Sequence, residues 1–125
     1  LNKNGIYCYF TNYSRFARSF NYRGEKIPFS IQRVYYILDV PDAVTRGGHR
    51  HKKNIQALFC IKGSCVISNK DGQNKNEFLL DRTEKCLILE TKDWHTMHSF
   101  TEDAILFVLA SEPFDVNGYI DEPYL

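Results

Sequence analysis

Short runs of β-branched, aromatic and other apolar residues recur along this chain, and no long window places apolar residues at helical spacing. A hairpin is predicted at Lys62-Gly63-Ser64, and a second turn at Lys70-Asp71-Gly72. Many short strands in a small domain must cover their edges, which favours a sandwich or barrel. The sequence therefore predicts an all-β fold, a jelly-roll barrel. The expected strands are residues 6–10, 31–40, 55–61, 65–68, 77–80, 86–90, 96–100 and 104–109.

Length and charge narrow the classes of function. A chain of 125 residues has the length of one domain, so we expect residues 1–125 to form a single domain. The 16 basic and 15 acidic residues nearly cancel, which argues against a general polyanion binder, and we expect no nucleic-acid partner. The longest apolar stretch, residues 104–110, is too short to cross a bilayer, and residues 1–10 lack the apolar region of a signal peptide. We therefore expect no membrane association.

The cysteines indicate the cellular compartment. None of the four forms a CxxC pair, and three of them lie inside apolar runs, where a free thiol behaves as a small hydrophobic group. We therefore expect reduced thiols and a cytoplasmic location. A disulfide between Cys60 and Cys65 is the alternative.

Two histidines, His49 and His51, stand two residues apart ahead of an apolar run. On a strand this spacing directs both side chains to the same face, which in a barrel is the interior. The spacing His49-x-His51-x4-Gln56-x6-Gly63 resembles the first motif of the cupins, which are small β-barrels. In metal-binding cupins a third histidine comes from a later strand, and His95 is its counterpart here.

The residues around this pair argue against a bound metal. Metal-binding cupins carry glutamate where this chain has Gln56, and a neutral amide is a poorer ligand for a divalent cation than a carboxylate. Nearby cations (Arg46, Arg50, Lys52 and Lys53) also oppose one. We therefore expect no metal and no other cofactor. Two imidazoles with pKa values near neutrality then form a proton-transfer pair, although ordinary hydrogen-bonded histidines without a catalytic role remain the alternative.

A second group of residues suggests an anion site. Arg33 and Tyr35 share one face of the second apolar run, and Tyr36 lies on the other. Arg33 stands among apolar neighbours, where a charge needs an anionic partner, and arginine suits bidentate contact with phosphate. A barrel mouth with Arg, Lys and Tyr predicts a nucleotide-diphosphate site. For Arg46 and Lys52, the alternative is an exposed basic edge that discourages aggregation.

Several blocks in one order give this chain a specific likeness to a known family. They are Arg33–Ile37, Arg46–Lys53, Trp94–Met97, Val108–Ser111 and Tyr119–Ile120. On these blocks the chain resembles the sugar 3,4-ketoisomerases, metal-independent cupins that act on dTDP-4-keto-6-deoxyglucose. The resemblance implies a cupin-type jelly-roll barrel, a dTDP-linked keto sugar as substrate, a homodimer, and supply of 3-keto sugars for the 3-amino-3,6-dideoxyhexoses of surface glycans such as lipopolysaccharide.

The resemblance also implies roles for individual residues. His49 is expected to be the base at carbon and His51 the proton shuttle between oxygens, although the two roles could be exchanged. Tyr35 is the candidate donor to the enediolate because of the face that it shares with Arg33, whereas the likeness of His95 to one branch of the family favours a galacto-configured product. The expected substrate-binding residues are Arg15, Arg33, Arg46, Lys52, Gln56, His95 and Tyr119.

Other functions stay open, and so does the position of the first strand. The alternatives are a dTDP-4-keto-6-deoxyhexose epimerase, a metal-dependent cupin dioxygenase and a non-catalytic sugar-binding barrel. The run Ile6–Phe10 is expected to lie in the dimer interface, where its apolar residues would extend the partner's sheet.

Overall fold

The computed structural model describes residues 16–18 and 27–125. Apart from a single 3-10 turn at Val116–Gly118, its regular elements in this part of the chain are all β-strands. They are β1 (Phe16–Arg18), β2 (Arg33–Leu38), β3 (Arg46–His51), β4 (Gln56–Lys62), β5 (Cys65–Lys70), β6 (Lys75–Leu80), β7 (Lys85–Leu89), β8 (Trp94–His98), β9 (Ile105–Ala110) and β10 (Tyr119–Ile120).

These strands form two five-stranded sheets. One has the order β1-β7-β4-β9-β2 and the other β10-β3-β8-β5-β6, with antiparallel pairing throughout the described ladders. Buried side chains from both sheets, such as Leu58 and Ile67, join one hydrophobic cluster, so the sheets pack face to face. This arrangement confirms the predicted all-β fold of cupin-type jelly-roll form.

Strand alternation explains how the core is filled. In β5 the side chains of Cys65, Ile67 and Asn69 are buried, whereas those between them are partly exposed. The fully buried leucines, including Leu58 and Leu106, each stabilise the fold by about 1.5–3 kcal/mol relative to an exposed position. Near one end of the barrel, however, the interior positions are polar: Gln56, Asn69 and His95 are almost completely buried.

The hairpin predicted at Lys62-Gly63-Ser64 is wrong. β4 lies between β7 and β9, and β5 lies between β8 and β6, so the segment carries the chain from one sheet to the other. The backbone amide of Thr101 donates to the carbonyl of Ser64 at 2.9 Å, and the Ser64 amide donates to the Thr101 hydroxyl at 3.0 Å. These bonds replace the ladder that a hairpin would have formed.

The turn predicted at Lys70-Asp71-Gly72 is confirmed, because it joins the paired strands β5 and β6. Its geometry follows from one side chain. The Asp71 carboxylate accepts hydrogen bonds from the backbone amides of Gln73 and Asn74, as short polar side chains do in turns.

Some expectations fall on other parts of the chain. The run Ile6–Phe10 and Arg15 lie outside the described residues. Cys60 and Cys65 are free thiols, so the alternative of a disulfide between them is wrong. Cys86 is disulfide-bonded, and the expectation that all four cysteines are reduced is therefore wrong as well. The cytoplasmic location stays a prediction. Within the described residues, no helix has the length and apolar character needed to span a membrane.

Two glycines allow the packing of the sheet-to-sheet connection to be tested. Both Gly63 and Gly72 have a positive φ, but a Cβ on Gly63 would lie 2.9 Å from the Ala104 Cα, whereas at Gly72 the nearest atom is 3.5 Å away. Gly72→Ala should cost about 1–2 kcal/mol of unfolding free energy from backbone strain. Gly63→Ala should cost a further ~1–3 kcal/mol from overpacking. Urea unfolding measures both, and equal losses would contradict the steric argument.

Candidate active site

A bulge in β3 turns both predicted histidines into the barrel. Gly47 pairs with Thr96 and His49 pairs with His95, so Gly48 is an extra residue in this strand. Without it, His49 would lie opposite Trp94 and point outward. Gly47 and Gly48 adopt φ values of 88° and 87°, which L-residues with side chains rarely adopt.

The bulge brings three imidazoles together, as the prediction for His49, His51 and His95 required. Their possible ligand nitrogens all lie within 4.8 Å of one another. The ring centroids of His49 and His51 are 5.0 Å apart, and those of His49 and His95 are 5.1 Å apart. The Nε2 atoms of His51 and His95 are buried without a hydrogen-bond partner in the described structure. Two ring nitrogens are thus directed into the cluster and available to a ligand.

Tyr119 covers the cluster from the end of the chain. It lies on β10, which pairs with β3 so that Tyr119 is opposite His51. The Tyr119 ring centroid lies 4.6 Å from that of His49 and 4.8 Å from that of His51. The Asp115 side chain caps the preceding 3-10 turn by accepting a hydrogen bond from the Asn117 amide at 2.9 Å. The C-terminal segment is therefore a wall of the site.

Tyr35 and Gln56 form a buried pair beside the imidazoles. The Gln56 side-chain amide donates to the Tyr35 hydroxyl at 2.7 Å, so the phenolic proton is left for another acceptor. Burial raises the pKa of Tyr35, although the nearby cation of Arg33 opposes this shift. The phenol therefore stays protonated at neutral pH and can act as a donor.

Arg33 lines a cavity of about 380 Å³ together with His51. Its guanidinium carbon is 4.9 Å from the Tyr35 ring centroid and 5.6 Å from that of Phe114, so the cation contacts two aromatic rings. The Nε of Arg33 is buried without a hydrogen-bond partner in the described part of the chain. Lys52 also lines this cavity, together with His51 and Tyr119. The predicted anion site and the predicted histidine pair therefore share one opening.

Arg46 occupies a different place from Lys52. It is exposed and does not line the cavity, but it opposes Met97 at the bulged end of β3, near enough to Tyr35 for its charge to lower the pKa of that phenol. Its sequence position alone could not distinguish a substrate contact from an exposed basic edge. The structure places it beside the site and not at the cavity mouth.

Several lining residues were not predicted from the sequence. Phe114 is 64% exposed at the cavity mouth, where its ring centroid lies 5.6 Å from the guanidinium carbon of Arg33. Asn54 also lines the cavity, and its side-chain oxygen accepts hydrogen bonds from the amides of Ser111 and Glu112. Neither residue belongs to a recognisable motif, and an isolated Asn in a loop carries no distinguishing signal. Only the pairing of distant strands shows that they meet here.

Burial sets the charge state of the cluster. It lowers the pKa of His95 to about 3 and that of His51 to about 4; for His51 the neighbouring His49 and the Arg33 cation add to the effect. The pKa of His49 is lowered too, chiefly by burial. All three imidazoles are therefore neutral at pH 7, and each keeps a nitrogen lone pair that can accept a proton.

The same three lone pairs could hold a divalent cation. Neutral imidazoles are suitable ligands for zinc and other transition metals. A further donor beside His51 is the amide oxygen of Gln56, which is buried without a partner in the described structure, and Arg33 adds a positive charge there. The geometry thus accommodates a metal, but none of these four donors is an anion that could balance its charge. The expected metal-free chemistry stays a prediction.

Comparison with known proteins identifies relatives of this chain. Residues 9–124 match the family described as "FdtA: WxcM-like, C-terminal". The TDP-4-oxo-6-deoxy-alpha-D-glucose-3,4-oxoisomerase of Aneurinibacillus thermoaerophilus is 44% identical over 96 residues, which cover 77% of this chain and 69% of that protein.

Two solved structures are also similar. The 3,4-ketoisomerase QdtA from Thermoanaerobacterium thermosaccharolyticum, crystallised as an asparagine variant of a histidine with TDP-4-keto-6-deoxyglucose, is 41% identical with a TM-score of 0.74, over 77% of this chain and 70% of that one. WlaRA from Campylobacter jejuni, a TDP-fucose-3,4-ketoisomerase, is 34% identical with a TM-score of 0.74, over 76% of this chain and 70% of that one.

The lowered histidine pKa values predict how stability depends on pH. A group whose pKa is lower in the folded state stabilises the fold above its unfolded pKa, near 6.5, and this stability is lost as the pH falls towards the folded value. At pH 5, His51 and His95 should each lower the unfolding free energy by about 2 kcal/mol relative to pH 8.

Urea unfolding between pH 5 and pH 8 measures this loss. His95→Gln should make the pH dependence shallower, because glutamine does not titrate. His98→Gln is the matched control, since His98 lies on the outer face of the same strand, where it contacts Ser68 and Glu77. A His95 variant with the parent's pH dependence would contradict the assignment.

Proposed function

Because this chain belongs to the FdtA family of WxcM-like C-terminal domains and is an isomerase, we propose that it converts dTDP-4-keto-6-deoxyglucose to the dTDP-3-keto-6-deoxyhexose. The observation that carries this proposal is the cluster of neutral imidazoles at a cavity lined by Arg33 and Lys52. The Aneurinibacillus relative is named for 3,4-oxoisomerase activity, and the Thermoanaerobacterium relative was crystallised with this keto sugar.

The chemistry requires two proton carriers. Moving the carbonyl from C4 to C3 removes the proton at C3, which the adjacent ketone acidifies, and gives an enediol. A proton must then reach C4 while another passes from the C3 oxygen to the C4 oxygen. Neutral imidazole can accept and return a proton near pH 7. We assign His49 as the base at carbon and His51 as the shuttle between the oxygens; the two rings are neighbours.

The groups around the pair support the charged intermediate. Tyr35 is held protonated, and its proton is not used in the bond with Gln56, so it can donate to the enediolate oxygen. Gln56 thereby orients the phenol. Tyr119 lies against both catalytic rings and would shield the reacting carbons from water.

The cavity mouth would hold the nucleotide. Arg33 carries a buried Nε without a partner in the described structure, and phosphate oxygens would supply the missing acceptor. Lys52 adds a second cation on the same cavity wall. Arg46, whose charge acts on Tyr35, is assigned to the sugar end of the substrate. Arg15 keeps its expected role as a substrate contact, on the resemblance alone.

We further propose a galacto-configured product that supplies 3-amino-3,6-dideoxygalactose biosynthesis. The support is the resemblance of His95 to the corresponding residue in that branch, and its ring stands beside His49, the proposed carbon base.

The direct test is incubation with dTDP-4-keto-6-deoxyglucose and NMR analysis of the product. A carbonyl at C3 with an axial C4 hydroxyl is the expected result, and an added 3-aminotransferase should yield the amino sugar. A carbonyl that stays at C4 beside an inverted carbon would instead identify an epimerase. No reaction, with the sugar nevertheless bound, would identify a binding protein.

Removing either catalytic histidine should stop turnover without unfolding the barrel. His49→Asn and His51→Asn should each lower kcat at least about a hundredfold, because each removes a required proton carrier. Dissociation constants for dTDP should change little, and His98→Asn is the matched control. The double variant should lose little more than either single variant if the pair works as one relay. Full activity in either single variant would refute the assignment.

Solvent exchange separates the two roles, and chelation tests the metal-free proposal. In D2O the His51 variant should still incorporate deuterium at C3, whereas the His49 variant should not; the reverse pattern would exchange the two assignments. EDTA should leave the parent fully active. Activity that disappears with EDTA and returns with iron or zinc would overturn the metal-free mechanism.

We propose a homodimer as well. Among the described strands β2 lies at the edge of its sheet, and its outward side chains are apolar and exposed: Val34, Tyr36 and Leu38 are 51%, 59% and 46% accessible. A second copy would cover this face, with the run Ile6–Phe10 joining the partner's sheet. Light scattering should give twice the chain mass of 14.6 kDa, and Tyr36→Lys should lower it. A monomer at micromolar concentration would contradict the proposal.

A further inference from the structure

A buried carboxylate stands directly behind the imidazole cluster. Asp93 is fully buried, at the end of the turn that leads into β8. Its carboxylate accepts a hydrogen bond from the Asn69 side-chain amide at 2.8 Å and another from the Glu90 backbone amide at 2.7 Å. The Asp93 amide in turn donates to the Glu90 carbonyl at 2.9 Å. A buried charge is costly unless it is hydrogen-bonded in this way, so these bonds hold the turn in one geometry.

The turn presents a carbonyl to His95. The Asp93 backbone oxygen lies 3.1 Å from His95 Nδ1, and a carbonyl oxygen can only accept. Nδ1 must therefore carry the proton in the neutral ring, which leaves the lone pair on Nε2. This second nitrogen is buried without a partner in the described structure and faces His49 and His51.

Asn69 completes the arrangement from the neighbouring strand. It pairs with His95 across the β5–β8 ladder, and both side chains point into the barrel. Its own Oδ1 is buried and has no hydrogen-bond partner among residues 16–18 and 27–125. An apolar side chain would avoid that cost, as Ile67 and Met97 do at the next interior positions of the same two strands. Packing alone therefore does not explain an asparagine here, and we attribute it to the hydrogen bond that its amide donates to the Asp93 carboxylate.

We propose that Asn69 and Asp93 are positioning residues that fix the tautomer of His95, so that its Nε2 always accepts a hydrogen bond at the reacting end of the sugar. This rests on the proposed function, because the acceptor would serve a hydroxyl of the keto sugar or of its enediol. Loss of either side chain should let the turn change conformation, so that the Asp93 carbonyl no longer stays within hydrogen-bond distance of Nδ1. The His95 proton could then occupy Nε2 instead. His95 would then present a donor where the reaction needs an acceptor.

NMR of 15N-histidine-labelled protein at pH 7.5 tests the tautomer directly, since a protonated and an unprotonated ring nitrogen differ in chemical shift. The parent should show His95 protonated at Nδ1, and Asn69→Ala and Asp93→Ala should show a mixture with the Nε2-protonated form. In both variants kcat should fall about tenfold, the lower end of what losing an orienting partner costs a metal-bound imidazole, with KM changed less than about twofold.

Conservative and control variants separate positioning from general stability. Asp93→Asn can keep the bonds to Asn69 and to the Glu90 amide if the Asn69 side-chain amide rotates by about 180° and presents its oxygen. The tautomer and most of the activity should therefore be retained. Asn76→Ala is the matched control: Asn76 pairs with Asn69 across the next ladder, but it is exposed. It should change neither measurement.

Two results would overturn the proposal. One is a parent protein with His95 protonated at Nε2, a measurement that needs no variant to fold. The other is a fall in activity in Asn69→Ala with the tautomer unchanged. A parent that shows the expected tautomer but does not isomerise the keto sugar would refute the proposed function and leave the positioning intact.

Discussion

The removal of three imidazoles from water is the constraint on which this site depends. An exposed histidine is partly charged near pH 7, and three neighbouring histidines would repel one another as they took up protons. Burial at the end of the barrel lowers their pKa values and keeps all three neutral. The hydrophobic core therefore has a chemical role as well as a structural one, because it excludes the water that would stabilise the imidazolium ions.

Neutral rings still need defined directions, and these come from hydrogen bonds at the edge of the core. Gln56 orients the phenol of Tyr35 by donating a hydrogen bond to its hydroxyl, and the Asp93 carbonyl orients the ring of His95 by accepting one from Nδ1. The cation of Arg33 lies beside His51 and lines the cavity together with it. Under the proposed function, the charge that would bind phosphate therefore stands next to a proton carrier, and this positive charge also helps to keep His51 neutral.

Much of this arrangement could be predicted from the sequence. The alternation of apolar residues predicts most of the strands and the barrel, because side-chain burial alone determines that pattern. The spacing of His49 and His51 predicts that they share a face, and the resemblance to cupins predicts that His95 joins them. What could not be predicted depends on contacts between distant segments. Lys62-Gly63-Ser64 has the composition of a hairpin turn, yet the pairing of β4 with β9 prevents one. Likewise, nothing near Asp93 in the sequence shows that Asn69 will lie beside it.

The extra glycine in β3 makes the length of this segment as important as its composition. Deleting Gly48 would restore a regular ladder with β8, and a shift of one residue exchanges the two faces of a strand. Both histidines would then point to solvent while remaining two residues apart, and the local sequence would still contain the same paired motif. An alignment that closes this gap would score the motif as intact in a protein that had lost its buried histidine cluster. Relatives of this chain are therefore better compared by the number of residues between Arg46 and His51 than by the presence of the histidines.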